Sequence, residues 1–147
     1  MRQFLIHNAA EGLRAIESGA QWLTLANPTP EAISELIPLC NSAGIIFVIE
    51  GNPDMALNTL VNDVRVSGIC IKNSENSPAE IREKLGPHAI IGYSASSADE
   101  ILALANLDID YFTLPSSEMA DSLSEVETPI VAVGAEQTPP GFSGHLF

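Results

Sequence analysis

The chain has 147 residues, room for one domain of ordinary size. Its residues are 46% hydrophobic and 17% charged, enough apolar material for a sizeable core. Nineteen acids against six bases give a formal charge of −13, which argues against a nucleic-acid binder and against docking on anionic lipid.

The first residues, Met1 to Asn8, lack a long apolar h-region and read as a strand, not as a signal peptide. No apolar run approaches the roughly 18 residues of a membrane span. The expected location is the cytoplasm. Cys40 and Cys70 suit it: both sit in apolar patterns, with no CxxC and no histidine at zinc spacing, and read as buried reduced thiols.

Taken in chain order, the expected strands are Gln3–His7, Trp22–Ala26, Ile45–Glu50, Gly68–Ile71, Ala89–Tyr93, Tyr111–Leu114 and Ile130–Val133. Their starts are separated by 19, 23, 23, 21, 22 and 19 residues. One strand, one helix and two tight loops need about that length, so the repeat is a βα unit and the sheet is parallel. The helix starts are punctuated. Asn8 has Glu11 three residues on; Thr29-Pro30, Asn52-Pro53 and Ser77-Pro78 place a cap before a first-turn proline. Ser77 with Glu80 and Ser97 with Glu100 are capping boxes. Gly19, Gly44 and Gly86 mark the stops. Pro38 lies inside the second helix and is expected to kink it. Ser116–Glu125 is a weaker, acidic helix pattern, and residues 135–147 read as an irregular tail. A closed barrel of eight units usually needs at least about 200 residues. An open doubly wound sheet fits the length more easily, while the even spacing favours a barrel.

Several segments resemble the thiamine phosphate synthase/TenI family. They are Gly19 to Leu25, Ile49 to Leu57, Gly68 to Ile71, Asp108 to Tyr111 and Pro129 to Gly134. The strongest is Arg82 to Ser94, which is similar to the family's R-x-x-L-G…I-I-G-x-S stretch. The resemblance runs in consistent order from residue 19 to 134. It implies a parallel (β/α) barrel-type domain over residues 1–147, here with about seven strands and an incomplete, truncated C-terminal end. The family's synthases join a pyrimidine pyrophosphate to a thiazole phosphate with Mg²⁺; other members aromatise the thiazole.

The sequence departs from the family where charge matters. The Q-x-R-x-K after the second strand reads Thr24, Ala26 and Pro28, and the N-D-R after the third reads Glu50, Gly51 and Asn52. The second magnesium carboxylate falls at Glu75, and the serine after the fifth strand is Ser94. The lysine of the sixth loop is missing from Leu114 to Glu118, the seventh-strand Gly-Gly is Gly134-Ala135, and no sequence is left for an eighth strand. Losing one buried charge-assisted contact costs about 2–5 kcal/mol, and three cationic positions are gone.

The strand C-termini should form the functional rim, with His7, Asn8, Asn27, Glu50, Asn52, Lys72, Asn73, Glu75, Ser94, Ser96, Ser116 and Glu136. The candidate ligand- or phosphate-binding residues are Ser94, Ser96, Lys72, Asn52 and Gly134. The candidate metal ligands are Glu75 and Glu50, with Mg²⁺ as the cofactor. No catalytic residue is assigned. His7 has no partner at triad spacing, and Trp22 is expected to pack on an outer helix. There is no GxGxxG, P-loop, GxSxG or HExxH. The expected function is a catalytically degenerate family member that binds a small phosphorylated or thiamine-related ligand, or a protein partner. The alternative is an active Mg-dependent synthase or thiazole tautomerase. The open seam of a truncated barrel is an aggregation hazard, so the tail or a second copy, as in a homodimer, should cover it.

Overall fold

Each expected cap forms. The Asn8 side chain accepts from the Glu11 amide at 2.8 Å, Thr29 from Ala32 at 3.2 Å, Ser77 from Glu80 at 3.3 Å and Ser97 from Glu100 at 3.3 Å. These caps satisfy amides at the first turn that have no partner within the helix. The computed structural model describes residues 2–51, 53–72, 77–115, 118, 121–133 and 144–146. The elements run β1 (Gln3–Ile6), α1 (Ala9–Glu17), β2 (Trp22–Leu25), α2 (Pro30–Ala43), β3 (Ile46–Glu50), α3 (Pro53–Asn58) and β4 (Gly68–Ile71). They continue with α4 (Pro78–Leu85), β5 (Ile90–Ser94), α5 (Ala98–Leu104), β6 (Tyr111–Pro115), a 3₁₀ turn (Asp121–Glu125), β7 (Ile130–Val133) and β8 (Gly144–Leu146). α2 ends at Gly44, whose φ of 69° takes the left-handed conformation that glycine adopts without strain. α2 runs on through Pro38 without a break. Pro38 and Ser34, whose carbonyl lacks its helical partner, are both exposed, so water can replace the lost bond.

The strands pair in parallel, each with its sequence neighbour, and close into a barrel. All seven expected strands are present. The expectation of an incomplete end is corrected by β8. It pairs with β7 over three residues, and its Leu146 meets Gln3 of β1. The sequence count demanded a full βα unit for an eighth strand; closing the seam takes only three extended residues. The expected irregular tail is therefore strand at Gly144–Leu146, and the rest of 135–147 lies outside the described residues.

Alternation divides the apolar side chains into two cores. Leu23, Phe47, Ile49, Ile69, Ile91, Phe112 and Leu114 point outward and are buried by helix residues such as Ile33, Leu36, Ile81 and Ile101. Val48, Cys70, Tyr111 and Val131 point inward, with Leu5, Trp22, Ile46 and Ile90 against them. Trp22 is thus a lumen residue, which corrects its expected place under an outer helix. Its ring meets Tyr111 edge-on at 5.3 Å, and its indole N–H donates to Thr24 Oγ1 at 3.2 Å. Two large rings fill the interior because Gly92 leaves room. A Cβ there would overlap the Tyr111 ring.

Below the barrel, the Arg82 guanidinium ties α4 to the strand entries. It donates to Asp108 at 3.0 and 3.1 Å, to Asp110 at 3.0 Å and to the carbonyls of Pro87 and Ala89. Asp110 also accepts from the Ile91 amide at 2.8 Å. These bonds raise the Arg82 pKa, chiefly through Asp108. No described helix is long and apolar enough to cross a membrane.

Candidate ligand site at the barrel mouth

The strand C-termini share one rim, as parallel strands in a barrel must. The adjacent strands β3, β4 and β5 bring three of the expected site residues to neighbouring ends. Glu50 closes β3 and Ser94 closes β5, both half-buried, and Lys72 follows β4 fully exposed. Ser96 is engaged locally, its hydroxyl donating to Glu100 Oε2 at 3.0 Å. Asn52, Glu75 and Gly134 lie outside the described residues, as do Asn73, Ser116 and Glu136. His7 is exposed, and its Nδ1 lies 3.1 Å from Glu11 Oε1, one helical turn into α1.

Beneath the rim lies a row of side chains that the sequence did not single out. Glu50 pairs in register with Cys70, Cys70 with Gly92, and Gly92 with Tyr111. Register partners point to the same face, so all four face the lumen. The strands tilt against the barrel axis, so the row descends from Glu50 at the mouth to Tyr111 inside. The Tyr111 ring lies over Gly92, which directs its hydroxyl back along the row toward Cys70. That hydroxyl is buried and makes no hydrogen bond, although it faces the Cys70 thiol; a thiol is a weak partner in any case. Thr24 and Thr113, both buried, are the lumen's other polar side chains below the rim.

Burial pushes the Cys70 thiol up to about 12, and the Glu50 charge adds to the rise while Tyr111 and Thr113 oppose it. Burial also raises the Tyr111 phenol well above its ordinary value, with Cys70, Glu50 and Asp110 contributing. Both groups are neutral at ordinary pH. Glu50 itself has no ion-pair or hydrogen-bond partner among the described residues. Nor do those residues form a magnesium cage. No three His, Cys, Asp or Glu side chains gather among them, and Glu50's neighbours along the row are a thiol and a phenol, poor ligands for a hard cation.

Cations are scarce at this rim. Arg2 and Arg65 precede β1 and β4 at the opposite end. Arg14 lies on α1, Arg82 is held in its clamp, and Lys84 pairs with Asp54 at 3.4 Å. Of the six Lys and Arg residues, Lys72 alone stands at a strand C-terminus.

The profile of the thiamine monophosphate synthase family matches residues 8–136. The chain belongs to that family. It is 33% identical over 104 residues to the thiamine-phosphate synthase of Chlorobium luteolum, covering 67% of this chain and 47% of that protein. It is 28% identical over 141 residues to the thiamine biosynthesis bifunctional protein ThiED of Geobacter sulfurreducens, covering 82% of this chain and 28% of the relative. The chain thus spans less than half the length of these curated relatives. A thiamine phosphate pyrophosphorylase structure from Pyrococcus furiosus superposes with a TM-score of 0.73 at 21% identity, over 99% of this chain and 84% of the other. That likeness bears on the fold. Within the family stretch from Arg82 to Ser94, the Arg82 clamp has a structural job; Ser94 alone reaches the rim.

Proposed function

We propose that this chain binds a small thiamine-related ligand at the mouth formed by Glu50, Lys72 and Ser94, without synthase turnover. One observation carries the reading: a single lysine is the only cation at the strand ends. A departing pyrophosphate develops several negative charges, and its stabilisation by fixed cations and donors is the main catalytic demand of such a reaction. Here Glu50 puts a negative charge at the mouth instead. A single phosphate is a smaller demand, which Lys72 with the Ser94 hydroxyl can meet. Family membership favours a second reading, an active Mg-dependent synthase, in which Glu75 would join Glu50 at the metal. The proposed pairing of two copies rests on the thin seam between β1 and β8, and gel filtration tests it.

Binding is tested by thermal shift at fixed protein concentration. The ligands are thiamine phosphate, thiazole phosphate, the pyrimidine pyrophosphate, and pyrophosphate with Mg²⁺. A ligand at a hundred times its Kd stabilises the native state by about 2.7 kcal/mol, or roughly 5–10 °C in a domain of this size. A shift of that order with a thiamine-related ligand supports the reading. No shift with any ligand at millimolar concentration would show a fold kept without its site.

A further inference from the structure

Two polar groups on one register row lack partners. The Glu50 carboxylate is half-buried at the mouth with no cation beside it among the described residues. The Tyr111 hydroxyl, on a residue only 6% exposed, faces back along the same row without a hydrogen bond. A half-buried carboxylate left without donors is costly, and so is a buried hydroxyl. Both costs fall if the missing donor arrives with a ligand. Under Glu50 the lumen is apolar, with Val48, Val131 and the Trp22 ring around the row. That low-dielectric floor leaves the carboxylate's field to act mainly toward the mouth.

We infer that the row Glu50–Cys70–Tyr111 floors a subsite for the cationic or N–H-donating edge of a small nitrogen heterocycle, and that this subsite rejects polyphosphate. The inference rests on the proposed ligand site and names the chemical class that enters it. Glu50 takes the positive edge or the N–H groups, and the neutral thiol beneath adds no competing charge. Tyr111 supplies a fixed hydroxyl at the base of the row. Lys72 and Ser94, on the next strand ends, remain for one anionic group at the ligand's far side.

The test is calorimetric titration of the full chain with thiamine, thiamine phosphate and inorganic pyrophosphate. The two heterocyclic cations are expected to bind at least about tenfold more tightly than pyrophosphate. Thiamine affinity should weaken as salt rises from about 0.05 to about 0.5 M, because an opposite-charge attraction is screened. Glu50→Gln should lose about tenfold in thiamine affinity while pyrophosphate binds no worse; Glu50→Ala serves if Glu50→Gln does not fold. Tyr111→Phe should weaken thiamine binding severalfold without lowering Tm. Tighter binding of pyrophosphate than of thiamine overturns this inference and leaves the ligand site standing. Thiamine affinity unchanged in the folded Glu50 variant also overturns it. Failure of all three ligands to bind overturns both.

Discussion

Gly92→Ala tests the lumen arrangement on which the site is built. A Cβ at this position would fall among Cζ, Cε1 and Oη of Tyr111, with Oη at 2.6 Å. The ring has nowhere to retreat: Trp22 meets it at 5.3 Å, and Tyr111 is 6% exposed. Overpacking of this kind costs about 1–3 kcal/mol. At roughly 2–4 °C per kcal/mol for a domain of this size, Tm should fall by about 2–12 °C. The remedy is specific. Tyr111→Leu removes the overlapping atoms, so Gly92→Ala in the Tyr111→Leu background should cost well under about 1 kcal/mol. A double-mutant cycle by urea denaturation reads the coupling. Equal costs of Gly92→Ala in both backgrounds would refute the placement of Tyr111 over Gly92, and with it the descending row.

Two other perturbations probe the scaffold. Arg82→Met removes the donors to Asp108, Asp110 and two backbone carbonyls; because both carboxylates are about half exposed, the loss is set at about 1–3 kcal/mol by denaturation. Arg82→Lys should recover little of it, since one ammonium cannot span the fork, and a lysine variant as stable as the original chain would contradict the clamp. The thiols predict an alkaline limit. Burial raises Cys40 to about 11 and Cys70 to about 12 from the ordinary 9.0, so their contribution is whole below pH 9 and is lost as pH climbs through 11 and 12. Cys40→Ala should therefore flatten the fall in stability between about pH 9 and 11 by something of the order of 2 kcal/mol. An unchanged slope would show that the thiol is not buried in the native state.

The strand and helix order was legible because each βα unit repeats the same punctuation: an apolar run, a cap, a proline or capping box, then a glycine stop. Asn8, Thr29, Ser77 and Ser97 are read correctly from local chemistry alone, since a cap acts within three residues. Closure was not legible. Gly144–Leu146 is too short to show a period, and its partners Val131–Val133 and Gln3 are far away in sequence. Trp22 was misplaced because strands buried on both faces carry no polar phase to tell inside from outside. Alternation did hold a usable signal: Glu50, Cys70, Gly92, Ser94, Tyr111 and Thr113 share the lumen phase, and most of them are polar exceptions in otherwise apolar runs. The pairing of Arg82 with Asp110, 28 residues apart, depends on a register that only the folded barrel supplies.

Product formation decides between binding and catalysis. The purified chain is incubated with the pyrimidine pyrophosphate, thiazole phosphate and Mg²⁺, and thiamine phosphate is measured against the protein-free rate. No product above that rate is expected, because one lysine at the rim cannot offset a leaving pyrophosphate beside Glu50. Thiamine phosphate formed catalytically, and abolished by Glu75→Ala, would contradict binding without turnover and establish the active synthase.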